Sequence, residues 1–153
     1  GLAADAVQSA RVAAPEREIR LDVVPGDRPP VVLGDGPRLV QVLRNLIGNA
    51  VNHTPPDASI TVGVSVDDGA NPGEAVLTVA DTGPGLSRED AERVFERFYR
   101  GDSSRHRGSG GGSGLGLSIV SALVDAHGGR VGVDTSPGVG ATFWVRLPLA
   151  DVD

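Results

Sequence analysis

Residues 37–56 read PRLVQVLRNLIGNAVNHTPP. Pro37 suits the first turn of a helix, and Thr54-Pro55-Pro56 ends it, because a residue before proline is pushed out of helical geometry. A long helix is therefore predicted from about Pro37 to His53. Helical residues advance about 100° each. With Asn45 taken as zero, Arg38, Gln41, Asn49 and Asn52 fall within about 40° of it. Leu39, Leu43, Leu46, Ile47 and Ala50 occupy the opposite arc, the face a core requires. The stripe holds three asparagines, one glutamine and one arginine, with no acid. An ordinary solvated face would mix glutamate with lysine or arginine. Asparagine is a mediocre helix former, so three on one stripe cost the helix something locally. Their oxygens can complete a magnesium shell that waters and phosphates otherwise fill. On the helix alone, a merely solvated face is the competing reading.

Upstream, Leu2 to Ala14 is alanine-rich and helix-favouring, stopping at Pro15. Residues 18–24 (EIRLDVV) alternate Ile19, Leu21 and Val23 with charged neighbours, the pattern of a half-buried strand. Pro25-Gly26-Asp27 reads as a turn and Val31-Val32-Leu33 as a second short strand. Downstream, strands are predicted over Ser59–Val66 and Ala75–Ala80, joined by the turn-forming DDGANPG. Ser87 can cap a helix whose third residue is Asp90 and which runs to about Phe98. Residues 101–116 contain seven glycines and few apolar side chains, and are expected to be mobile. Leu115 to Ala126 is helical by pattern, closed by Gly128-Gly129. The last strands are Arg130–Thr135 and Thr142–Pro148, linked by SPGVG. Strands arriving in pairs between helices predict an α+β sandwich, with helices on one face of a mixed sheet.

At 153 residues the chain is long enough for one domain, residues 1–153, burying about 68–70% of its unfolded surface. It has no cysteine, which excludes disulfides, thiolate zinc sites and thiol catalysis. The net charge is −6, from 20 acids against 14 bases that are all arginine, so a nucleic-acid partner is not expected. No apolar run approaches the roughly 18 residues that span a bilayer. The chain has no methionine, and it reads as a fragment of a longer protein.

Three further motifs carry chemistry. At the end of the strand Ala75–Ala80 stands Asp81-Thr82-Gly83-Pro84-Gly85. A carboxylate there can accept from an exocyclic amine while glycine backbone packs against a flat ring, although Asp-x-Gly is also an everyday turn. Gly110-Gly-Gly112-Ser-Gly114-Leu115-Gly116-Leu117 leads into a helix, where glycine amides and the helix N-terminus suit an anion. It is not a P-loop, because Gly-Lys-Ser/Thr is absent. A flexible linker accounts for 101–113 but not for the alternation of glycine and leucine at 114–117. Between the two lies Val94-Phe95-Glu96-Arg97-Phe98-Tyr99-Arg100. Residues 97–107 carry Arg97, Arg100, Arg105 and Arg107 against Asp102 alone, a local charge of +3. Either a small satellite core or an aromatic-anchored lid whose arginines neutralise phosphate fits that composition. His53, His106 and His127 have no partner at metal-ligand spacing.

Taken together, these segments resemble the catalytic ATP-binding domain of bacterial sensor histidine kinases, in the GHKL ATPase superfamily with its Bergerat fold. Asn45–His53 looks like the N box, Asp81–Gly85 the G1 box, Val94–Arg100 the F box and Gly112–Ile119 the G2 box. The resemblance implies a mixed, mostly antiparallel five-stranded sheet covered on one face by three helices, with a mobile ATP lid. It implies that Asn49 binds the magnesium bridging the ATP phosphates, with Asn45 beside it. Asp81 would accept from the adenine amino group, and Gly83 and Gly85 would line the base pocket. Gly112, Gly114, Leu115, Gly116 and Leu117 would meet the phosphates, and Arg97, Phe98 and Arg100 would belong to a lid spanning residues 86–113. The family often has lysine or arginine where this chain has Asn52, so a lid arginine would have to supply that contact.

By the same resemblance, residues 1–16 would connect to a dimerisation and phosphoacceptor hairpin outside the chain. That hairpin, in a homodimer, would take the phosphoryl group from ATP and pass it to a response regulator, and the domain would lie on the cytoplasmic side of a membrane-anchored sensor. The family's acceptor histidine precedes an acid. Here the residues after the histidines are Thr54, Arg107 and Gly128. Hydrolysing relatives carry a water-activating glutamate where this chain has Asn45, so ATP should be held rather than quickly cleaved. An anti-sigma-factor-type serine kinase, or a nucleotide-binding module without transfer activity, are the alternatives.

Overall fold

The computed structural model describes residues 2–24, 32, 34–67, 69, 73–96 and 116–149. At its centre α2 spans Gly36–His53. Asp35 caps it, accepting from the Arg38 amide at 3.3 Å, and Pro37 sits in the first turn where no amide is needed. Leu39, Leu43, Leu46, Ile47 and Ala50 are all buried, together with Val42. Thr54 leaves the helix in an extended conformation, as its position before Pro55 requires.

The other elements are α1 (Leu2–Ala13), β1 (Glu18–Val23), β2 (Ser59–Asp67), β3 (Glu74–Asp81), α3 (Arg88–Arg93), α4 (Gly116–Ala126), β4 (Arg130–Ser136) and β5 (Gly140–Pro148). The five strands form one mixed sheet in the order β1-β2-β3-β5-β4, with β1 parallel to β2 and every other pair antiparallel. Side chains alternate across a strand, so the register assigns them to faces. Val79 pairs with Val62 on one side and Phe143 on the other, and Ile60 lies opposite Asp81. Ile19, Ile60, Val62, Val79, Phe143 and Val145 thus share the face covered by helices and form the core with the apolar arc of α2. Asp81 follows Val79 by two residues and belongs to that same covered face.

Two expectations change in detail. Val32 belongs to no strand, while residues 31 and 33 lie outside the described residues. Its side chain packs against the core instead of pairing. Among the described residues β1 pairs only with β2, in parallel, across a crossover that α2 provides, as parallel strands demand. The helix expected to reach Phe98 ends at Arg93, where the Glu96 amide turns back to the Arg93 carbonyl at 2.9 Å. Phe95 beyond it meets Phe143 edge to face, ring centres 6.0 Å apart, and is drawn to the core by that contact. The alanine-rich start is the expected helix: α1 packs on α2 and β1, with Ala6 and Val7 inside the core.

Candidate nucleotide site

The polar stripe of α2 emerges beside the start of α4. Asn45 and Asn49 are half-buried, Gln41 likewise, and Arg38 and Asn52 are exposed. The Asn45 side chain donates through Nδ2 to the Gly116 carbonyl at 3.3 Å, joining the stripe to the first residue of α4. The first-turn amides of a helix have no acceptor within it, and they give that end a partial positive charge. α4 carries no acid in its first turn. Gly116 and Leu117 open α4, with Leu117 buried against the core. An anion is therefore favoured along this edge and a bare cation is not.

The Asp81 loop is built into the end of the sheet. Asp81 Oδ1 accepts from the Gly83 amide at 3.0 Å, and the Ala141 amide on β5 also favours the ionised carboxylate. Burial pushes the Asp81 carboxyl above its usual 3.8, with the two amides and the nearby His53 and Arg17 pulling the other way. Thr82 is tied to Ser59 twice, its amide donating to the carbonyl at 3.1 Å and its hydroxyl accepting from the amide at 2.9 Å. The Gly138 amide donates to the Pro84 carbonyl at 2.7 Å. Gly83 is a glycine for a steric reason: a Cβ there would come within 2.6 Å of Thr54 Cγ2 and 3.1 Å of Asp81 Oδ1. Gly85 adopts φ 73°, the left-handed region that favours glycine. Asp81 lines an open cleft of about 730 Å³ with Leu86, Val133 and Ala141 and with the charged Arg88, Glu92 and Asp134, and Asn45 and Asn49 lie outside its lining.

The structure thus brings Asn45 together with Gly116, and Asp81 with Gly83. Arg97, Phe98, Arg100, Gly112, Gly114 and Leu115 lie outside the described residues, as does the expected lid beyond Glu96. Where that lid is expected to start, Leu86 donates its amide to Thr135 Oγ1 at 2.9 Å, and Ser87 caps α3 through the Asp90 amide at 3.1 Å. His127 is structural: Nδ1 donates to the Leu123 carbonyl at 2.7 Å, and Nε2 accepts from the Asp35 amide at 3.1 Å. Among the described residues no group of three or more His, Asp or Glu could hold a metal by itself. Amide oxygens on the stripe fit magnesium as a hard cation that keeps waters and phosphates in its shell. Two residues near the site carry no sequence signal: Arg17, a lone arginine after Pro15-Glu16, and Thr54, which reads only as a helix end. Among the described residues no helix is long and apolar enough to cross a membrane.

Residues 34–151 match the family described as histidine kinase-, DNA gyrase B-, and HSP90-like ATPase. The chain is 48% identical over 148 residues to the probable sensor histidine kinase TcrY of Mycobacterium tuberculosis (strain ATCC 25618 / H37Rv), covering 97% of this chain and 30% of TcrY. It superposes on the mycobacterial sensor histidine kinase MprB with a TM-score of 0.77 and 33% identity, over 96% of this chain and 93% of that one. Against full-length ShkA in complex with AMPPNP the TM-score is 0.80 at 36% identity, over 99% of this chain and 30% of that one. The chain spans between about a fifth and a third of the length of the curated relatives it matches first.

Proposed function

The chain belongs to the histidine kinase-, DNA gyrase B- and HSP90-like ATPases, as a catalytic domain of the sensor histidine kinase type, and from that membership we propose that it holds Mg-ATP and donates the γ-phosphoryl group to a histidine on a separate dimerisation and phosphoacceptor hairpin. The observation that carries this reading is the bond from Asn45 to the Gly116 carbonyl. It sets an acid-free row of amide oxygens against a helix N-terminus, so metal ligands and phosphate donors share one edge. The AMPPNP complex of ShkA supports an adenine nucleotide as the occupant.

Phosphoryl transfer asks the protein for positioning and charge neutralisation more than for covalent help. Asp81 accepts from the exocyclic amine of the base, and Gly83 lets backbone lie against the ring. Asn49 offers its side-chain oxygen on the metal side, with Asn45 beside it, and the start of α4 directs amides toward the phosphates. Magnesium, when bound, neutralises the developing charge between the phosphates. The stripe holds no carboxylate to take a proton from water, so the nucleotide waits for its acceptor. In the whole protein the hairpin belongs to a homodimer, the phosphoryl group passes on to a response regulator, and the domain faces the cytoplasm beneath a membrane anchor.

Mixing the chain with a phosphoacceptor hairpin and labelled ATP tests the reading. Label on histidine is expected. Label on serine would instead favour an anti-sigma-type serine kinase, and binding without transfer a nucleotide-binding module. Fast ATP hydrolysis by the chain alone would contradict the proposed waiting state.

A further inference from the structure

Arg17 belongs to none of the motifs, yet it is buried to 8% exposure between α1 and β1. Its Nη1 donates to the Thr54 carbonyl at 3.2 Å and to the Pro55 carbonyl at 2.6 Å, and its Nη2 donates to the Thr54 hydroxyl. That hydroxyl donates onward to the Ala50 carbonyl at 2.7 Å. The other branch of Thr54, its methyl, is the atom that leaves no room for a Cβ on Gly83. One guanidinium therefore grips the end of α2 at three points, and the residue it grips lies against the glycine that carries backbone to the base. A cation at a helix C-terminus is favourable, and a planar fork can serve three acceptors in a way an ammonium cannot.

We propose that Arg17 is a positioning residue for base recognition: by holding Thr54 against Gly83 it sets the spacing between the Asp81 loop and the C-terminal end of α2. The proposal rests on the reading of this site as a nucleotide pocket. Among the described residues, His53 and Arg17 act on the Asp81 carboxylate by charge, alongside the Gly83 and Ala141 amides, and Arg88, Glu92 and Asp134 line the same cleft. Arg17 favours the ionised carboxylate, so its role reaches the base through charge as well as spacing. The phosphate side, at Asn45 and the start of α4, is reached by neither route. Losing Arg17 should therefore weaken ATP and ADP by the same factor.

The test measures ATP and ADP affinity of the 153-residue chain between pH 5 and pH 8, also in a His53→Gln background so that the histidine's own titration does not enter. Arg17→Gln is expected to weaken both nucleotides on the order of ten-fold and to move the acidic limb of affinity to higher pH. Arg17→Lys should keep the limb in place and recover only part of the affinity, because the charge remains and the fork does not. Thr54→Ser keeps the hydroxyl bonds and removes the methyl, and should weaken both nucleotides by about two- to three-fold. If Arg17→Gln does not fold, the other two substitutions decide. Wild-type affinities in Arg17→Lys and Thr54→Ser would overturn the proposal, as would an Arg17→Gln loss that leaves the acidic limb unmoved. An unsubstituted chain that binds no nucleotide would instead overturn the nucleotide reading itself.

Discussion

The two faces of α2 carry opposite duties over the same 18 residues. On one arc Leu46, Ile47 and Ala50 are 1–3% exposed and packed into the sheet. On the other, Asn45 and Asn49 are half-buried without being core, and Asn45 reaches across to another helix. The apolar arc decides where the helix lies; the stripe decides what the helix can hold. If that division is real, substitutions on the two faces should trade effects. Leu46→Ala should cost about 2–5 kcal/mol of stability, read from denaturant unfolding, by lost transfer energy plus the cavity left behind. Nucleotide affinity of the folded fraction should stay unchanged. A loss of affinity at full folding would break the comparison at once.

The converse substitution is Asn49→Asp, which has nearly the same size and should leave stability within about 0.5 kcal/mol, as for a site away from the core. It sets a full negative charge against the phosphates and removes an amide donor. Weakening of Mg-ATP binding by about 2 kcal/mol, roughly 30-fold, is expected in calorimetry at moderate salt. Unchanged affinity would make the stripe plain solvated surface.

Asp81 sharpens the contrast because it lies at the boundary, on the covered face of the sheet but at its open end. Burial raises its carboxyl above the usual 3.8, so the folded chain keeps this proton to higher pH than the unfolded chain does. Stability from this group therefore falls as pH rises through the window between those two values. Base recognition runs the other way, since an ionised carboxylate is the better acceptor. Acidification through that window should weaken nucleotide binding by about ten-fold while adding slightly to stability. In Asp81→Asn both dependences should vanish. Affinity and stability that move together with pH would point to a different titrating group.

The helix and its two faces were legible in sequence because a 3.6-residue period and a terminal proline pair are local signals. Asp81 and Gly83 were legible as a strand end followed by glycines, and the structure supplies the steric reason at Thr54. Other features depend on distant partners. The triplet around Val32 has a strand's composition, but β1 pairs Glu18 with Ser59 across a whole helix, a choice no short window contains. Nor could an alanine-rich α1 announce which surface it would cover. Arg17 was invisible for the same reason: its three acceptors lie 37 and 38 residues away.

The smallest expected effect is also the finest probe of the stripe. Asn52 is exposed at the α2 end, on the same stripe as Asn49. In Asn52→Lys a flexible ammonium should reach the phosphate edge and tighten ATP by about 0.5 kcal/mol, a little over two-fold, at low salt. Screening shortens to about 8 Å at physiological ionic strength, so most of the gain should fade there. A second, independent effect runs through the helix: lysine is the better helix former and suits a C-terminal turn, adding a few tenths of a kcal/mol to stability. Salt separates the two, because the propensity gain survives it and the phosphate contact does not. Tighter binding that persists in high salt would mean the lysine acts by stiffening α2, and the stripe would then end at Asn49.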